Sequence, residues 1–367
     1  MHGKTAFEYQ WPYLVSFLAP EETIEVTARE CGALRRKRRI DSGMTLLRLV
    51  LAYGLAGLSL RQTAAWAEAS GVASLSDVAL LKRFRSSAEW LGRLLAIKLD
   101  DRAELPRPSH RRLRIVDATQ ISKPGSVGSD WRVHLGLDLA TAMIDHVELT
   151  DFRGGESLRR FPVSDADVLI ADRAYGNRSG IASVAEAGGD FIVRLPWNTV
   201  PLSDLHGRDL DLFEFLRSLP EAQPGEIDVM IRPDRRLGLP AVPVRLVAVR
   251  KSEAAAAKTR KEITQAASRK SRFVHARTLE AAAYTILVTS LHRDELVAAD
   301  VLDLYRFRWQ VEIAFKRLKG ILELGELPAK DPRLARTYIL SKLLAALLLD
   351  DLTQAYVSFS PWGFIVR

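Results

Sequence analysis

Between residues 4 and 100 apolar side chains recur every three to four positions with few β-branched runs, which is the spacing of amphipathic helices. "TLLRLVLAYGLAG" (45–57) predicts one helix, and "SLRQTAAWAEASG" (59–71) a second, capped by Ser59 and stopped by Gly71. "SLSDVALLKRFRSSAEWLGRLLAIKL" (74–99) predicts a third, with Ser74 or Ser76 as its cap. The helices joined at "SGVASLSD" have the outline of a helix-turn-helix, with Lys82, Arg83 and Arg85 as candidate DNA contacts. A helical hairpin with a basic outer face would carry the same pattern.

After the proline-containing "DDRAELPRPSHRR" (100–112), which reads as a linker, the hydrophobic period changes to two. "LRIVDATQI" (113–121), "DWRVHLGLDLAT" (130–141) and "MIDHVELTDF" (143–152) predict an antiparallel meander. "DVLIADRAYGN" (167–177), a helix around 179–189 and "DFIVRL" (190–195) predict a parallel strand–helix–strand unit, so the sheet is mixed. Residues 196–283 read as an insertion, with strands at 227–233 and 242–251 and an Ala-rich basic helix over 251–272 that has little to bury. "YTILVTSL" (284–291) returns to core composition. A single helix is predicted from Asp294 to about Gly320, and "YILSKLLAALLLDDL" (338–352) reads as a buried helix.

The expected organisation is therefore α/β. A helical region (1–105) precedes a sheet domain in two parts (106–195 and 284–350), which flank a β-rich, basic insertion (196–283) and precede a tail (351–367).

Composition narrows the partners. Lys and Arg number 53 against 45 Asp and Glu, a net charge of +8, so the summed field favours a polyanion such as nucleic acid or an anionic membrane surface. Arg35, Arg36, Lys37, Arg38 and Arg39 form a run of cations that reads either as a solvated loop or as a phosphate-binding patch. One cysteine, Cys31, rules out an internal disulfide framework and a cysteine-rich zinc site, in keeping with a cytoplasmic protein. No apolar run approaches the roughly 18 residues of a membrane span, and no signal peptide is visible. The seven histidines are scattered without an HExxH pairing.

Three carboxylates stand out. Asp117 follows the apolar run "RIV", Asp172 ends the run "VLIA", and Glu312 lies on the predicted helix after the last core strand. Each alone is an ordinary strand terminus or ion-pair partner. Together they supply hard oxygen ligands from separate elements that can converge at one end of a sheet, the donor set of a divalent-metal site. Around the helix, Arg308, Glu312 and Lys319 fall at about −60°, −20° and −40° from Tyr305, while Phe307, Val311, Phe315 and Leu318 fall on an arc of about 200° to 280°. That separation predicts a polar stripe opposite a buried face. An i, i+4 surface ion pair between Arg308 and Glu312 is its ordinary reading.

Tyr305, Arg308, Glu312 and Lys319, spaced Y-x2-R-x3-E-x6-K within "YRFRWQVEIAFKRLKG", resemble the signature of the IS-four group of DDE insertion-sequence transposases. "IVDATQI" and "IADRAYGN" resemble that group's first and second aspartate blocks, and "ILVTSL" the strand before its glutamate helix. The resemblance covers residues 110–345 and implies a ribonuclease-H-like mixed sheet with flanking helices. It implies that Asp117, Asp172 and Glu312 hold two Mg²⁺ ions, with Mn²⁺ as a substitute, and that Tyr305, Arg308 and Lys319 grip DNA phosphates beside the scissile bond. The implied activity is cleavage of the terminal inverted repeats of an insertion sequence and strand transfer to target DNA. It would be carried out by a homodimer in a synaptic complex, in the bacterial cytoplasm at the nucleoid and not at a membrane. Some members cut through a DNA hairpin with a base flipped onto an aromatic ring, for which Tyr284 and Trp197 are the nearest candidates. The chain closes on the apolar, aromatic "SPWGFIVR", which reads as stopping in mid-element. A catalytically inactive or truncated transposase-derived DNA-binding protein and a purely hydrolytic ribonuclease-H-like DNA nuclease are the alternatives on the same fold.

Overall fold

The structure is a computed structural model that describes residues 6–36, 39–103, 111–320, 322–325, 327–328, 330 and onward to 358. Six helices come first: α1 (Ala6–Ser16), α2 (Glu21–Glu30), α3 (Gly43–Leu55), α4 (Leu60–Ala69), α5 (Asp77–Phe84) and α6 (Ala88–Ala103). Ser59 caps α4 reciprocally: its Oγ accepts from Gln62 N at 3.2 Å while Gln62 Oε1 accepts from Ser59 N at 2.9 Å. Gly71 follows that helix at φ +66°, a left-handed conformation that a side chain would strain.

The helix predicted over 74–99 is two helices. Ser76 caps α5 by accepting from Ala79 N, and the Ser86 and Ser87 hydroxyls bond back to the Arg83 carbonyl at 2.8 and 2.9 Å. Such local bonds give the backbone an alternative to continuing the helix.

A nine-stranded mixed sheet follows, with strands β1 (Arg112–Ile121), β2 (Trp131–Asp138), β3 (Met143–Asp151), β4 (Asp167–Ala171), β5 (Asp190–Arg194), β6 (Leu202–Ser203), β7 (Pro224–Ile231), β8 (Val242–Arg250) and β9 (Tyr284–Thr289). Their spatial order is β3-β2-β1-β4-β5-β9-β8-β7-β6. The meander β1–β3 is antiparallel, and β1, β4 and β5 are parallel neighbours. Helix α7 (Arg178–Glu186), capped by Asn177, links β4 to β5. The strands of the predicted insertion continue the sheet past β9, through β8, and share its core: Val229, Ile231 and Leu246 pack in one cluster with Val116, Leu169 and Phe191. Helices α8 (Leu212–Ser218), α9 (Glu253–Ser268) and α10 (Ala276–Ala281) lie between those strands in sequence.

Side chains alternate between two cores. Ile115, Val168, Ile170, Ile192, Val247 and Leu287 pack on the face covered by the N-terminal helices, whereas Val116, Leu169, Phe191, Val193 and Leu246 pack on the opposite face. The first face is closed by α11 (Ala298–Arg306), α12 (Gln310–Gly320) and α13 (Pro332–Ser358). Helix α13 begins before the predicted segment 338–352 and extends beyond it; its Leu343, Leu344 and Leu347 are buried against α3 and α6. Arg102, buried at the end of α6, fastens this layer. It donates to Ile144 O on β3 at 2.6 Å and to Leu347 O on α13 at 2.5 Å, and pairs with Asp351 at 2.8 Å.

Candidate active site

Position in the sheet brings the first two acids together. β1 and β4 run parallel with Val116 opposite Ala171, so Asp117 and Asp172 are the next residues along adjacent strand paths, which lie about 4.8 Å apart. Continuing the alternation, Asp117 shares the face of Ile115 and Asp172 that of Ile170, the face on which α12 packs through Val311, Phe315 and Leu318. Glu312 is carried by the first turn of α12.

The helix predicted from Asp294 to Gly320 is broken. Residues Phe307–Trp309 form a 3-10 turn between α11 and α12, so the stripe calculated for one continuous helix does not extend across Tyr305. The tighter turn also leaves Phe307, expected in the core, 47% exposed, while Val311, Phe315 and Leu318 are buried as expected. What the break does is aim Arg308 into the site. Its Nη2 donates to Glu312 Oε1 at 2.8 Å and its Nη1 lies 3.7 Å from Asp117 Oδ2. Lys319 is exposed, two turns of α12 beyond Glu312.

The electrostatics follow from this packing. Burial, then the negative charge of Asp172, pushes Asp117 up from its ordinary value of 3.8 to about 6, against a backbone hydrogen bond from Ala118 and the pull of Arg308. Asp172 Oδ1 accepts from Ala174 N at 2.8 Å, which fixes the carboxylate at the start of its loop. Burial raises the Tyr305 phenol above its usual value, against the pull of Arg194 and Arg308.

Two residues escaped the sequence reading. Glu156, half-buried and 3.6 Å from Arg132, is pushed up by burial and by the charge of Asp172. Tyr175 is fully buried, its hydroxyl has no hydrogen-bond partner among the described residues, and Asp117, Glu156 and Asp172 all act on it electrostatically. Tyr175 lies within the quoted "ADRAYGN"; Glu156 is in a loop with no period to mark it.

The donor chemistry fits a hard divalent cation at Asp117 and Asp172, two carboxylates whose mutual repulsion such a cation relieves. The predicted convergence of all three acids is not what the side chains adopt. Among the described residues no three His, Cys, Asp or Glu side chains stand together as a metal-holding group. The physical reason is Arg308, whose guanidinium is paired with Glu312 and stands close to Asp117.

The other predicted contacts divide. Arg85 is paired with Asp331 at 2.6 Å and Arg83 donates to Ala33 O at 2.9 Å, so both tie α5 into the fold, while Lys82 is exposed. Arg35, Arg36 and Arg39 are exposed; Lys37 and Arg38 lie outside the described residues. Tyr284 is 7% exposed, and the Trp197 indole donates to Thr278 Oγ1 at 3.2 Å and packs on Phe213. Both rings nevertheless line a cleft of about 610 Å³ that opens beside Asp172.

The transposase DDE domain family matches residues 108–348, from just before β1 to the end of the buried stretch of α13. The chain belongs to the DDE transposase family. The transposase for insertion sequence element IS421 of Escherichia coli is 44% identical over 356 residues, covering 96% of either chain. InsL of insertion sequence element IS186A from Escherichia coli K12 is 44% identical over 355 residues, again 96% of each. These relatives place this DDE transposase in the IS-four group. A solved structure of the piggyBac transposase synaptic complex with hairpin DNA superposes with a TM-score of 0.51, at 10% identity, over 98% of this chain and 77% of that one. Such a likeness bears on fold alone, and it agrees with a ribonuclease-H-like mixed sheet. Membership implies an enzyme that uses a divalent metal. Among the described residues, no helix is long and apolar enough to cross a membrane.

Proposed function

We propose that this DDE transposase binds the terminal inverted repeats of its own insertion sequence, cleaves them and joins them to target DNA, using Asp117, Asp172 and Glu312 with two Mg²⁺ ions, for which Mn²⁺ can substitute. The observation that carries the reading is the placement of Asp117 on β1 and of Asp172 directly after the adjacent parallel β4, on the face against which the helix bearing Glu312 packs. When bound, the metal pair supplies Lewis-acid stabilisation of the attacking and leaving oxygens. The chain's own part is positioning. Asp117, within β1, and Asp172, just past the end of β4, hold their carboxylates in fixed places, and Arg308 exchanges its bond to Glu312 for a DNA phosphate, which frees Glu312 to join them. Tyr305 and Lys319 bind further phosphates, Lys319 as a point charge. The exposed cations Lys82, Arg35, Arg36 and Arg39 extend the DNA-facing surface.

The domain that binds the ends is the helical N-terminal region, and the active assembly is a homodimer in a synaptic complex. Tyr284 or Trp197 takes a flipped base in the cleft beside Asp172. The test is purified protein with Mg²⁺ and labelled duplex DNA carrying the flanking repeats, wild type beside Asp172→Asn. Cleaved and joined products from the wild type alone are expected; equal products from both proteins would exclude this active site.

A further inference from the structure

A second cleft, of about 620 Å³, opens between Arg194 at the end of β5, the end of β8 with the start of α9, and the end of α11 with the 3-10 turn that carries Arg308. Among the described residues five cations line it, Arg194, Arg250, Lys251, Arg306 and Arg308, against one acid, Asp303, which is already paired with Arg306 at 2.9 Å. Among the described residues Arg194, Arg250 and Lys251 have no carboxylate within ion-pair distance. Three cations held close together without an ion-pair partner are unfavourable unless an anion joins them. Lys251 registers the crowding: burial, then Arg194 and Arg173, push its amine below its usual value, with Glu262 opposing. Ser252, the N-cap of the 16-residue helix α9, and Ala255 in its first turn line the same cleft, so the positive end of that helix dipole adds to the field.

We infer that this cleft is a second phosphate site, in which Arg194, Arg250 and Lys251 bind a backbone phosphate of the DNA duplex flanking the phosphate held by Arg308. This rests on the reading of Arg308 as a phosphate ligand and extends it to residues from β5 and β8, elements that the Tyr-Arg-Glu-Lys signature does not include. The strand ends supply pre-positioned forks, and the sheet holds them at a fixed offset from Asp172. Lys251 also donates to Ala282 O at 2.9 Å, so it is a poor residue to remove; Arg250 is exposed and Arg194 half-buried, and neither has a side-chain bond among the described residues.

The experiment measures binding of labelled repeat-end duplex to full-length protein by fluorescence anisotropy in EDTA, so that no cutting intervenes. It compares wild type, Arg250→Gln, Arg194→Gln/Arg250→Gln and, as a control on the β7–β8 turn, the exposed Arg236→Gln. The plot of log affinity against log salt should flatten by about one for each cation that meets a phosphate, and remain unchanged for Arg236→Gln. Duplexes with single neutral methylphosphonates locate the contact. One position should weaken wild type by about tenfold and leave the double variant unaffected, the non-additivity of two groups in direct contact. An unchanged salt slope in Arg250→Gln, or additive losses at every methylphosphonate, overturns the inference. Cleavage by Asp172→Asn is scored separately: its survival would refute the active-site reading without touching this phosphate site, and a flat methylphosphonate scan would do the reverse.

Discussion

The Arg308 guanidinium stands 3.7 Å from the Asp117 carboxylate, joining the 3-10 turn before α12 to the strand that carries the first acid. With the 2.8 Å bond to Glu312, this contact makes Arg308 the cation shared by two of the three acids, and the proposed function has it exchange Glu312 for a DNA phosphate. Arg308→Lys keeps the charge but cannot fork between two oxygens. Loss of one charge-assisted hydrogen bond corresponds to about tenfold or more in rate. Arg308→Lys should therefore cut at least about tenfold more slowly in a gel-based cleavage assay. Arg308→Gln should be slower still, because it also leaves Glu312 without its neighbouring cation.

The proposed function gives each acid a part in the chemical step. Asp117→Asn, Asp172→Asn and Glu312→Gln should each lower cleavage by about 10³-fold, the equivalent of several kcal/mol of transition-state charge stabilisation. DNA affinity in EDTA should stay within a few fold of wild type, as measured by anisotropy. A parallel collapse of binding would assign these residues to folding instead.

The raised Asp117 pKa makes a prediction about stability with a definite sign. A carboxyl group whose pKa is 3.8 unfolded and about 6 folded binds more protons in the folded state between those values, so stability rises as pH falls from 6 towards 3.8. Above pH 6 the ionised group costs about 3 kcal/mol relative to the protonated one. Asp117→Asn should accordingly raise Tm in EDTA at pH 8 and give no gain at pH 4, as followed by circular dichroism. A uniform shift across the range would mean that the substitution acts through packing.

Divalent metal should reverse that penalty. Mg²⁺ or Mn²⁺ at 100 times its Kd should stabilise the wild type by about 2.7 kcal/mol through selective binding to the folded state. Asp117→Asn and Asp172→Asn should show little of this shift in thermal melts. Chelation with EDTA should abolish cleavage, and added Mg²⁺ should restore it.

Arg102 is assigned to the scaffold. Arg102→Met removes a buried guanidinium that serves Ile144 O, Leu347 O and Asp351, leaving those acceptors without their donor. Breaking one side of such a pair costs about 3–5 kcal/mol. Urea unfolding should show a loss of this size, while the DNA-binding salt slope of the remaining folded protein should not change.

Much of this protein was legible in local sequence because it depends on local chemistry. Ser59 and Gly71 bracket α4 through a cap and a left-handed stop that one helix decides for itself. The change of period after residue 112 predicted the β1–β3 meander and the parallel β4–α7–β5 unit, since alternation fixes which residues face a core. The Tyr-Arg-Glu-Lys spacing, with the two aspartate blocks, carries the family's mark in the sequence alone. What the spacing did not contain was the 3-10 turn at Phe307–Trp309, because an ideal 100° step assumes one unbroken helix. Nor did it contain the splitting of the 74–99 helix by Ser86 and Ser87, the engagement of Arg83 and Arg85 by groups far along the chain, or the approach of Glu156 and Tyr175 to the acids. The sequence by itself determined which residue types end each strand and helix. Only the tertiary structure decided which of those ends meet, because charge pairing and sheet order join residues whose separation in the chain carries no periodic signal.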